Sequence, residues 1–212
     1  MAEQGYFVPA GRTRTEFIER KSRFITSLRR VETQEEADAF IAEIRAEFPD
    51  ATHNCVAYRI RTPLIERFSD DGEPGGTAGM PMLDVLKKED LYNVAVVVTR
   101  YFGGVLLGAG GLVRAYSKGA ADGVKAAGVS VMEAGARVLV DCPYPFYDRF
   151  QHIAERFCCE IEDTTFSEKV SVLMVIKSAD QQSFFFELAE ASAGGVQGEV
   201  LEELFYPFKI ID

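Results

Sequence analysis

The stretch Val94–Lys118 constrains the fold more than any other part of this 212-residue chain. It opens with the apolar, β-branched run Val94–Thr99, which is typical of a strand that is buried on both faces. The pair Gly103–Gly104 then breaks the strand. A second glycine cluster follows: Gly108, Gly110 and Gly111. The sequence therefore predicts a buried strand, a glycine-rich turn and a helix in direct succession.

Two stripes of residues mark the predicted helix. One stripe is mainly apolar and consists of Leu112, Tyr116, Ala120 and Val124. The neighbouring stripe holds only small residues, namely Ala115, Gly119 and Gly123. Glycine inside a helix costs about 0.5–1 kcal/mol relative to alanine. Two glycines in one row therefore indicate that another element approaches the helix closely.

The junction of turn and helix is a candidate anion site. A glycine-rich turn that enters a helix presents unpaired backbone N–H groups, and the helix dipole adds partial positive charge. Arg100 leaves the strand just before the turn, and Arg114 lies in or near the first helical turn, where a cation opposes the dipole. An anion between the two guanidinium groups would account for this arrangement. In the alternative interpretation, the glycines only permit tight packing and the arginines pair with Asp70, Asp71 or Glu73.

A second candidate is the loop Ser69–Pro81, which carries the acidic cluster Asp70, Asp71 and Glu73. Such carboxylates would hold Mg²⁺, which prefers oxygen ligands. Asp and Gly also favour tight turns for backbone reasons, so the same residues are explained as turn formers as well. Thr77 is predicted to cap the short helix that follows.

The rest of the N-terminal half has clear periodic patterns. Phe17–Val31 is predicted to be an extended segment. Thr33 and Glu36 form a capping box at the start of an amphipathic helix. His53–Ile60 alternates between two faces and is predicted to pair with the returning strand Leu64–Phe68. The histidine that opens this strand is explained either as a structural residue or as part of a site.

Composition and charge narrow the range of functions. Apolar residues make up 47% of the chain and charged residues 26%, as is ordinary for a globular protein. Without a membrane-length apolar run or a hydrophobic signal core, we expect a cytosolic protein whose four cysteines are reduced. The net charge is −10, with 17 basic and 19 acidic residues through Gly135, and 6 against 14 after it. This argues against a general nucleic-acid binder but permits a local basic face in the N-terminal half.

The C-terminal half has a pattern of its own. Small residues over positions 128–136 predict a linker, so we expect one domain over residues 1–133 and a second over 134–212. The apolar patterns that follow predict strand, helix, two strands, helix and strand, which is the βαββαβ order of the ferredoxin-like fold. Phenylalanines at helical spacing in this half indicate a core rather than a ligand pocket.

Several catalytic motifs are absent from the sequence. It has no GxSxG nucleophile elbow, no GxxxxGK[ST] phosphate loop and no full dinucleotide fingerprint. With two histidines and no evident pair of acid and base, the residues give hydrolysis little support. We therefore predict no catalytic residues, no metal site and no cofactor.

Three motifs closely resemble those of one known family. They are HNCVAYRI (53–60), SDDGEPGGTAGMPML (69–83) and VVVTRYFGGVLLGAGGLVRAYS (96–117). On these residues the chain resembles the YigZ/Impact family, in its bacterial two-domain branch. The likeness extends over nearly the whole chain, because the C-terminal half fits the ferredoxin-like module of that branch.

The resemblance implies an α+β protein of two domains. The N-terminal domain would be similar to domain 2 of ribosomal protein S5, a left-handed βαβ variant. The C-terminal domain would be similar to domain V, the last domain of elongation factor G. Eukaryotic relatives regulate translation by competing for the activator of a starvation-sensing kinase, with help from an extra N-terminal domain. Both comparisons point to the translation machinery, although a shared fold does not by itself establish function.

We predict a binding protein rather than an enzyme, which engages RNA, the ribosome or a translation factor in translation-linked or stress-response regulation. The predicted contact residues are His53, Asn54, Arg100, Gly103, Gly104, Gly108, Gly110, Gly111, Arg114 and Lys118. Two alternatives are open. One is a phosphate- or nucleotide-binding small-molecule enzyme that holds Mg²⁺ at Asp70, Asp71 and Glu73. The other is a protein–protein adaptor that uses its acidic C-terminal domain.

Overall fold

The computed structural model describes residues 5–209, so the ends of the two predicted domains, 1–4 and 210–212, lie outside it. The chain forms two compact units, Tyr6–Val131 and Met132–Phe208. The elements in chain order are β1 Tyr6–Pro9, β2 Thr13–Glu19, β3 Ser22–Arg30, α1 Gln34–Glu47, β4 His53–Ile60, β5 Ile65–Ser69, α2 Gly79–Lys88, β6 Val94–Tyr101, α3 Ala109–Ala127, β7 Val129–Cys142, α4 Tyr144–Arg156, β8 Glu160–Phe166, β9 Val170–Lys177, α5 Gln181–Ala191 and β10 Gly198–Lys209. The α+β class predicted from the sequence is confirmed.

The first unit is built on an antiparallel sheet in the order β2-β3-β6-β4-β5. The central strand β6 places Val98 between Thr26 of β3 and Cys55 of β4. The first seven residues of β6 are buried, because α1 covers one face of the sheet while α2 and α3 cover the other. The prediction of a strand buried on both faces is therefore confirmed.

Helix α1 follows the predicted capping signal. The Thr33 hydroxyl accepts a hydrogen bond from the Glu36 backbone N–H at 3.2 Å, and the Glu36 carboxylate accepts one from the Glu32 N–H at 2.8 Å. These bonds satisfy two backbone donors at or beside the start of the helix. The apolar stripe of α1 faces the sheet and consists of Ala37, Phe40, Ile41 and Ile44.

Helix α3 packs closely on β3 through its small residues. A Cβ atom on Gly119 would lie 2.9 Å from Thr26 Oγ1, and one on Gly123 would lie 2.8 Å from Thr26 Cγ2. Both distances are shorter than a Cβ atom normally comes to another heavy atom, so a larger residue at either position would require the neighbouring side chain to shift. The close approach predicted from the small stripe is confirmed, and the mainly apolar stripe is buried beside it.

The prediction that Phe17–Val31 is extended is confirmed for the end of β2 and for β3, but it missed a turn between them. Strands β2 and β3 form a hairpin whose two-residue loop is Arg20 and Lys21, with φ angles of 44° and 66°. Two-residue hairpin loops favour Asn-Gly or Asp-Gly, because both positions need positive φ. Because the two loop positions hold Arg and Lys instead, the sequence gives no sign of the turn.

The predicted linker over residues 128–136 contains the boundary between the two units, but the stretch is a strand and not a loop. Strand β7 runs without interruption from Val129 to Cys142, so most of the small residues lie inside a strand. Gly135 has a packing reason, since a Cβ atom there would lie 3.0 Å from the Phe208 ring. Small residues in this stretch therefore indicated close packing, not a flexible connection.

The second unit has the predicted βαββαβ order: β7, α4, β8, β9, α5 and β10. Residues Gly135–Cys142 of β7 pair with β9, β8 pairs with β9 on its other side, and β10 pairs with β7. Helices α4 and α5 supply Phe150 and Phe184 to the core, where both rings are fully buried. The interpretation of these phenylalanines as core is confirmed. Within residues 5–209, no helix is long and apolar enough to cross a membrane.

Candidate anion-binding site

The structure separates the predicted contact residues into two groups within the first unit. We call the first group the inner polar cluster; it comprises His53, Asn54, Asp70, Asp71, Glu73, Arg100 and Tyr116. The second group surrounds a cavity of about 220 Å³, the basic cavity, which is lined by Phe17, Glu19, Arg20, Leu107, Gly111, Arg114, Ala115 and Lys118. The two groups differ in exposure: Arg100 and Glu73 of the inner polar cluster are buried, whereas Arg20 and Arg114 at the basic cavity are exposed.

Arg100 belongs to the inner polar cluster and does not face solvent. Its side chain is 5% exposed, and Nη1 lies 2.6 Å from Glu73 Oε1 in a buried ion pair. Its Nη2 donates to the Ser22 hydroxyl at 3.1 Å, while Nε is buried without a partner. For Arg100 the structure therefore shows the alternative interpretation, in which it pairs with Glu73. Both of its Nη atoms bond groups of the protein, Glu73 and Ser22, so neither is offered to an anion at the glycine-rich turn.

Tyr116 completes the pairing of the buried carboxylate. Its hydroxyl donates to Glu73 Oε1 at 2.7 Å. Burial raises the pKa of the Tyr116 phenol well above its ordinary value, so it stays a neutral donor at physiological pH. Burial likewise raises the pKa of the neighbouring Cys55 thiol to about 12, and its Sγ donates to the Asp70 carbonyl oxygen at 3.0 Å. Cys55 is thus an unreactive thiol held inside the cluster.

His53 and Asn54 are held by the acidic loop Ser69–Pro81. The His53 Nδ1 lies 2.8 Å from the Asp71 carbonyl oxygen, and Nε2 lies 3.8 Å from Glu73 Oε1. The Asn54 backbone N–H donates to Asp71 Oδ2 at 2.6 Å, and the Asn54 side-chain oxygen accepts from a buried threonine hydroxyl on β6. These bonds give both residues a structural role, and their contact with a partner stays a prediction.

Asp70 organises the start of helix α2. Its Oδ1 accepts from the backbone N–H groups of Ala78 and Gly79 at 3.0 and 2.8 Å, and its Oδ2 accepts from Gly76 at 2.8 Å. Thr77 was predicted to be this cap, and that prediction was wrong. Its hydroxyl donates to the carbonyl oxygen of residue 74 at 2.6 Å instead. The sequence pattern missed Asp70 because it reaches the helix from several residues upstream.

The remaining carboxylate of the acidic loop is also engaged. Asp71 accepts from the Arg45 guanidinium group at 3.1 Å in addition to the Asn54 N–H. All three acidic residues of the loop therefore bind groups of the protein, as the turn-forming interpretation proposes. Among residues 5–209, no three His, Cys, Asp or Glu side chains are grouped so that they would hold a metal ion.

The two glycines that end β6 bring the following loop against the β2–β3 hairpin. A Cβ atom on Gly103 would lie 2.0 Å from the Lys21 carbonyl oxygen, so only glycine fits there. The Gly103 N–H donates to the Ser22 hydroxyl, which also accepts from Arg100. Gly104 has a φ of 79°, which glycine adopts readily. This contact carries the hairpin loop to the wall of the basic cavity.

Three basic side chains surround the basic cavity. Arg20 extends from the hairpin loop, and its Nη1 lies 3.5 Å from the Leu106 carbonyl oxygen. Arg114 is exposed and folds back over the first turn of α3, since a Cβ atom on Gly110 would lie 3.6 Å from its Nη1. The ammonium group of Lys118 lies 4.4 Å from the centre of the Phe17 ring. Arg20 was not among the predicted contact residues, because the sequence predicts an extended segment where the hairpin turn lies.

The two guanidinium groups at the basic cavity have no acidic partner. Among residues 5–209, no carboxylate lies within 4.0 Å of Arg20 or Arg114. Neighbouring arginines of the same sheet are paired, such as Arg14 with Glu47. Lys118 contacts the exposed Asp122. Positive charge is therefore available at this cavity.

The first turn of α3 adds donors on the same side. Helix α3 begins after Gly108, whose φ of 69° places it in the left-handed region. No side chain caps this end of the helix and no acidic residue lies in its first turn. The first backbone N–H groups of a helix have no partner within the helix, and the dipole makes them attractive to anions. Of the predicted contact residues, the basic cavity is lined by Gly111, Arg114 and Lys118, while Gly108 and Gly110 lie at the start of the same helix and Arg100 lies elsewhere. That these residues contact a ligand stays a prediction.

Comparison with known proteins identifies the family. A family model described as the Impact N-terminal domain matches residues 20–124, and a domain of unknown function, DUF1949, matches residues 140–194. An IMPACT family member of Haemophilus influenzae is 39% identical over 205 residues, which cover 95% of this chain and 98% of that protein. This chain belongs to the IMPACT family. The family member YvyE of Bacillus subtilis is 37% identical over 190 residues, covering 89% of this chain and 88% of YvyE.

Further relatives of the IMPACT family agree over the same length. YigZ of Escherichia coli is 34% identical over 203 residues, which cover 94% of this chain and all of YigZ, 100%. A crystal structure of a hypothetical protein is 33% identical with a TM-score of 0.59, covering 95% of this chain and 98% of that one. The match to the Impact N-terminal domain begins at Arg20 and so includes the inner polar cluster and most of the basic cavity.

Proposed function

We propose that this IMPACT family member regulates translation in the cytoplasm by binding RNA, free or within the ribosome, through phosphate groups at the basic cavity. The observation that carries the proposal is the presence of two exposed arginines without acidic partners, Arg20 and Arg114, around one cavity. In a chain with a net charge of −10, such a site is a local exception to the overall charge. Phosphate contacts from Lys and Arg are the main source of sequence-independent RNA affinity.

The basic cavity carries costs that an anion would offset. The guanidinium group of Arg114 folds back over the first turn of α3, where a cation opposes the helix dipole by at most about 1 kcal/mol. Like charges brought around one cavity also repel each other. These costs are explained if the site is kept for a negatively charged ligand.

The translational part of the proposal comes from the family. The resemblance to the YigZ/Impact family implies eukaryotic relatives that regulate translation and an N-terminal domain similar to a domain of a ribosomal protein. We assign RNA binding to the predicted N-terminal domain, residues 1–133, because the basic cavity lies there. The more acidic C-terminal domain, residues 134–212, would repel phosphate and has a different task, such as holding a partner protein.

The test is binding of the purified chain to ribosomes and to a short RNA at two salt concentrations. We expect the affinity to fall steeply between about 50 and 200 mM salt, because each phosphate contact releases counterions. Arg114→Ala should weaken binding about tenfold or more, since a charge-assisted hydrogen bond contributes about 1.5–3 kcal/mol.

Lys125→Ala is the matched control for this experiment. Lys125 is an exposed cation in the last turn of the same helix, about two turns beyond Lys118, and does not line the basic cavity. It should leave the affinity nearly unchanged. Binding that is insensitive to salt, or that Arg114→Ala and Lys125→Ala weaken equally, would contradict the proposed site.

A further inference from the structure

We propose that the basic cavity receives a terminal phosphomonoester at the end of an RNA strand, in preference to an internal phosphodiester. This inference rests on the proposed function, because it names the group of the RNA that enters the same cavity. Three features of the cavity support it: its shape, its charge and the donors that it offers.

The shape of the basic cavity suits a chain end. Its walls come from three separate segments: the end of β2 with its hairpin loop, Leu107, and the first three turns of α3. The cavity has about 220 Å³, which is below the roughly 300–1,000 Å³ of pockets that enclose a drug-sized ligand. A whole nucleotide therefore does not fit inside. A terminal phosphate enters such a recess from one side, whereas an internal phosphate needs an open groove because the strand leaves it in two directions.

The charge of the basic cavity matches a dianion. Arg20, Arg114 and Lys118 line it, with Glu19 as the one carboxylate among the lining residues, which leaves an excess of two positive charges. Lys118 also contacts Asp122, but an exposed pair of this kind is weak and is readily exchanged for a ligand. A phosphomonoester carries a charge of about −1.5 to −2 at pH 7. An internal phosphodiester carries only one negative charge and would leave half of the excess unbalanced.

The donors around the cavity also favour a terminal group. A phosphomonoester presents three strong acceptor oxygens, one more than the two free oxygens of a diester. A guanidinium group offers several N–H donors in a planar fork that binds phosphate through two bonds at once. Arg20 and Arg114 stand on different segments, so each can engage its own oxygen atoms while Lys118 supplies a further donor. Only a terminal phosphate has a third free oxygen that can accept a hydrogen bond from these donors.

The test compares two forms of one short, unstructured oligoribonucleotide that carries a fluorophore at its 3′ end. One form has a 5′-phosphate and the other a 5′-hydroxyl group. We expect the phosphorylated form to bind about tenfold tighter, as one additional charge-assisted contact would give. Arg114→Ala should remove this difference, and so should Arg20→Asn, which takes away the charge while asparagine suits the positive φ of the turn.

Two further variants sharpen the test. Glu19→Gln removes the carboxylate that lines the cavity, so it should tighten binding of the phosphorylated form several-fold. Lys125→Ala should keep the full preference for the 5′-phosphate. The melting temperature of each variant verifies that it folds, and all four altered side chains are exposed in the native protein.

The outcomes separate this inference from the proposed function. Equal affinity for both forms, with both weakened by Arg114→Ala, would overturn the terminal phosphate and leave RNA binding intact. No binding of either form or of ribosomes would overturn both. If inorganic phosphate or a nucleoside monophosphate binds as tightly as the phosphorylated oligonucleotide, the ligand is a small molecule and the assignment to an RNA end is wrong.

Discussion

Arg100 and Arg114 lie on the same strand–turn–helix segment but in opposite environments. Arg100 is 4% exposed and forms a buried ion pair with Glu73, supported by hydrogen bonds from Tyr116 to Glu73 and from Arg100 to Ser22. Arg114 is exposed, borders the basic cavity and has no carboxylate within ion-pair distance in the described part of the chain. The charge of Arg100 is balanced by Glu73 inside the inner polar cluster, whereas the basic cavity is left with positive charge.

The difference shows what burial does to a charged group. Burying a guanidinium group costs free energy unless an opposite charge lies next to it. The inner polar cluster supplies that charge to Arg100 with the carboxylate of Glu73. An exposed arginine is hydrated and needs no such partner, so its charge remains available to a ligand. The comparison predicts that substitutions around Arg100 reduce stability, whereas substitution of Arg114 reduces ligand binding.

The largest effect is expected when the buried ion pair is broken. Glu73→Gln keeps the shape of the side chain but removes its charge, which leaves Arg100 buried without a counter-charge. Removing one partner of a buried pair costs about 3–5 kcal/mol. We expect a loss of this size in the opening free energy of the β6 amides, measured by native-state hydrogen exchange, which reports on the first unit alone.

Glu43→Gln is the control for that substitution. Glu43 pairs with Arg12 on the surface, where the two side chains are 46% and 50% exposed. An exposed pair contributes about 0–1 kcal/mol, so this variant should change the β6 exchange very little. If both variants lose the same stability, the pair of Arg100 and Glu73 is not the buried anchor that the structure indicates.

An intermediate effect is expected at Gly103, where the inner polar cluster meets the wall of the basic cavity. In Gly103→Ala the new Cβ atom would overlap the Lys21 carbonyl oxygen, so the loop and the hairpin must separate. Overpacking of this kind costs about 1–3 kcal/mol. The shift would also move Arg20 relative to Arg114, so RNA affinity should fall together with the melting temperature.

The matched control is Gly75→Ala, in the acidic loop. A Cβ atom at Gly75 would have no other atom within 4 Å, and its backbone is not in the left-handed region. This variant should keep both stability and affinity. A Gly103→Ala protein that melts like the native one would show that the contact between loop and hairpin is looser than described.

Much of the fold was predictable because its signals are local. The capping box of Thr33 and Glu36, the apolar run of β6 and the alternation of His53–Ile60 each determine one element through neighbouring residues. The βαββαβ order of the second unit followed from the same periodicities. The β2–β3 hairpin did not, because its turn residues, Arg20 and Lys21, are not the Asn-Gly or Asp-Gly pair that usually marks a two-residue turn with positive φ.

The candidate site was predictable in part. Glycine spacing located the start of α3, and helical spacing placed Arg114 and Lys118 beside it. The assignment of Arg100 to the same site failed because partners in space decide which arginines are paired, and Glu73 approaches from a loop distant in sequence. The role of Asp70 as the cap of α2 was hidden for the same reason.

The smallest expected effect is on stability at Arg114, where substitution should slightly stabilise the protein instead of destabilising it as at the Arg100–Glu73 pair. Arg114→Ala removes a cation whose backbone lies in the second turn of α3 but whose guanidinium group folds back over the first turn, where it opposes the helix dipole by at most about 1 kcal/mol. Alanine also favours the helix slightly. We therefore expect the opening free energy of the α3 amides to stay the same or rise by a few tenths of a kcal/mol, within the roughly 0.5 kcal/mol typical of surface substitutions.

Arg100→Ala should instead destabilise the first unit by several kcal/mol, because Glu73 would remain buried and unpaired. An Arg114→Ala protein that loses stability like Arg100→Ala would mean that Arg114 has a structural partner, and the basic cavity would no longer be a site with charge to spare. A variant that is slightly more stable but binds RNA less well would show that Arg114 is retained for its ligand at the expense of the helix.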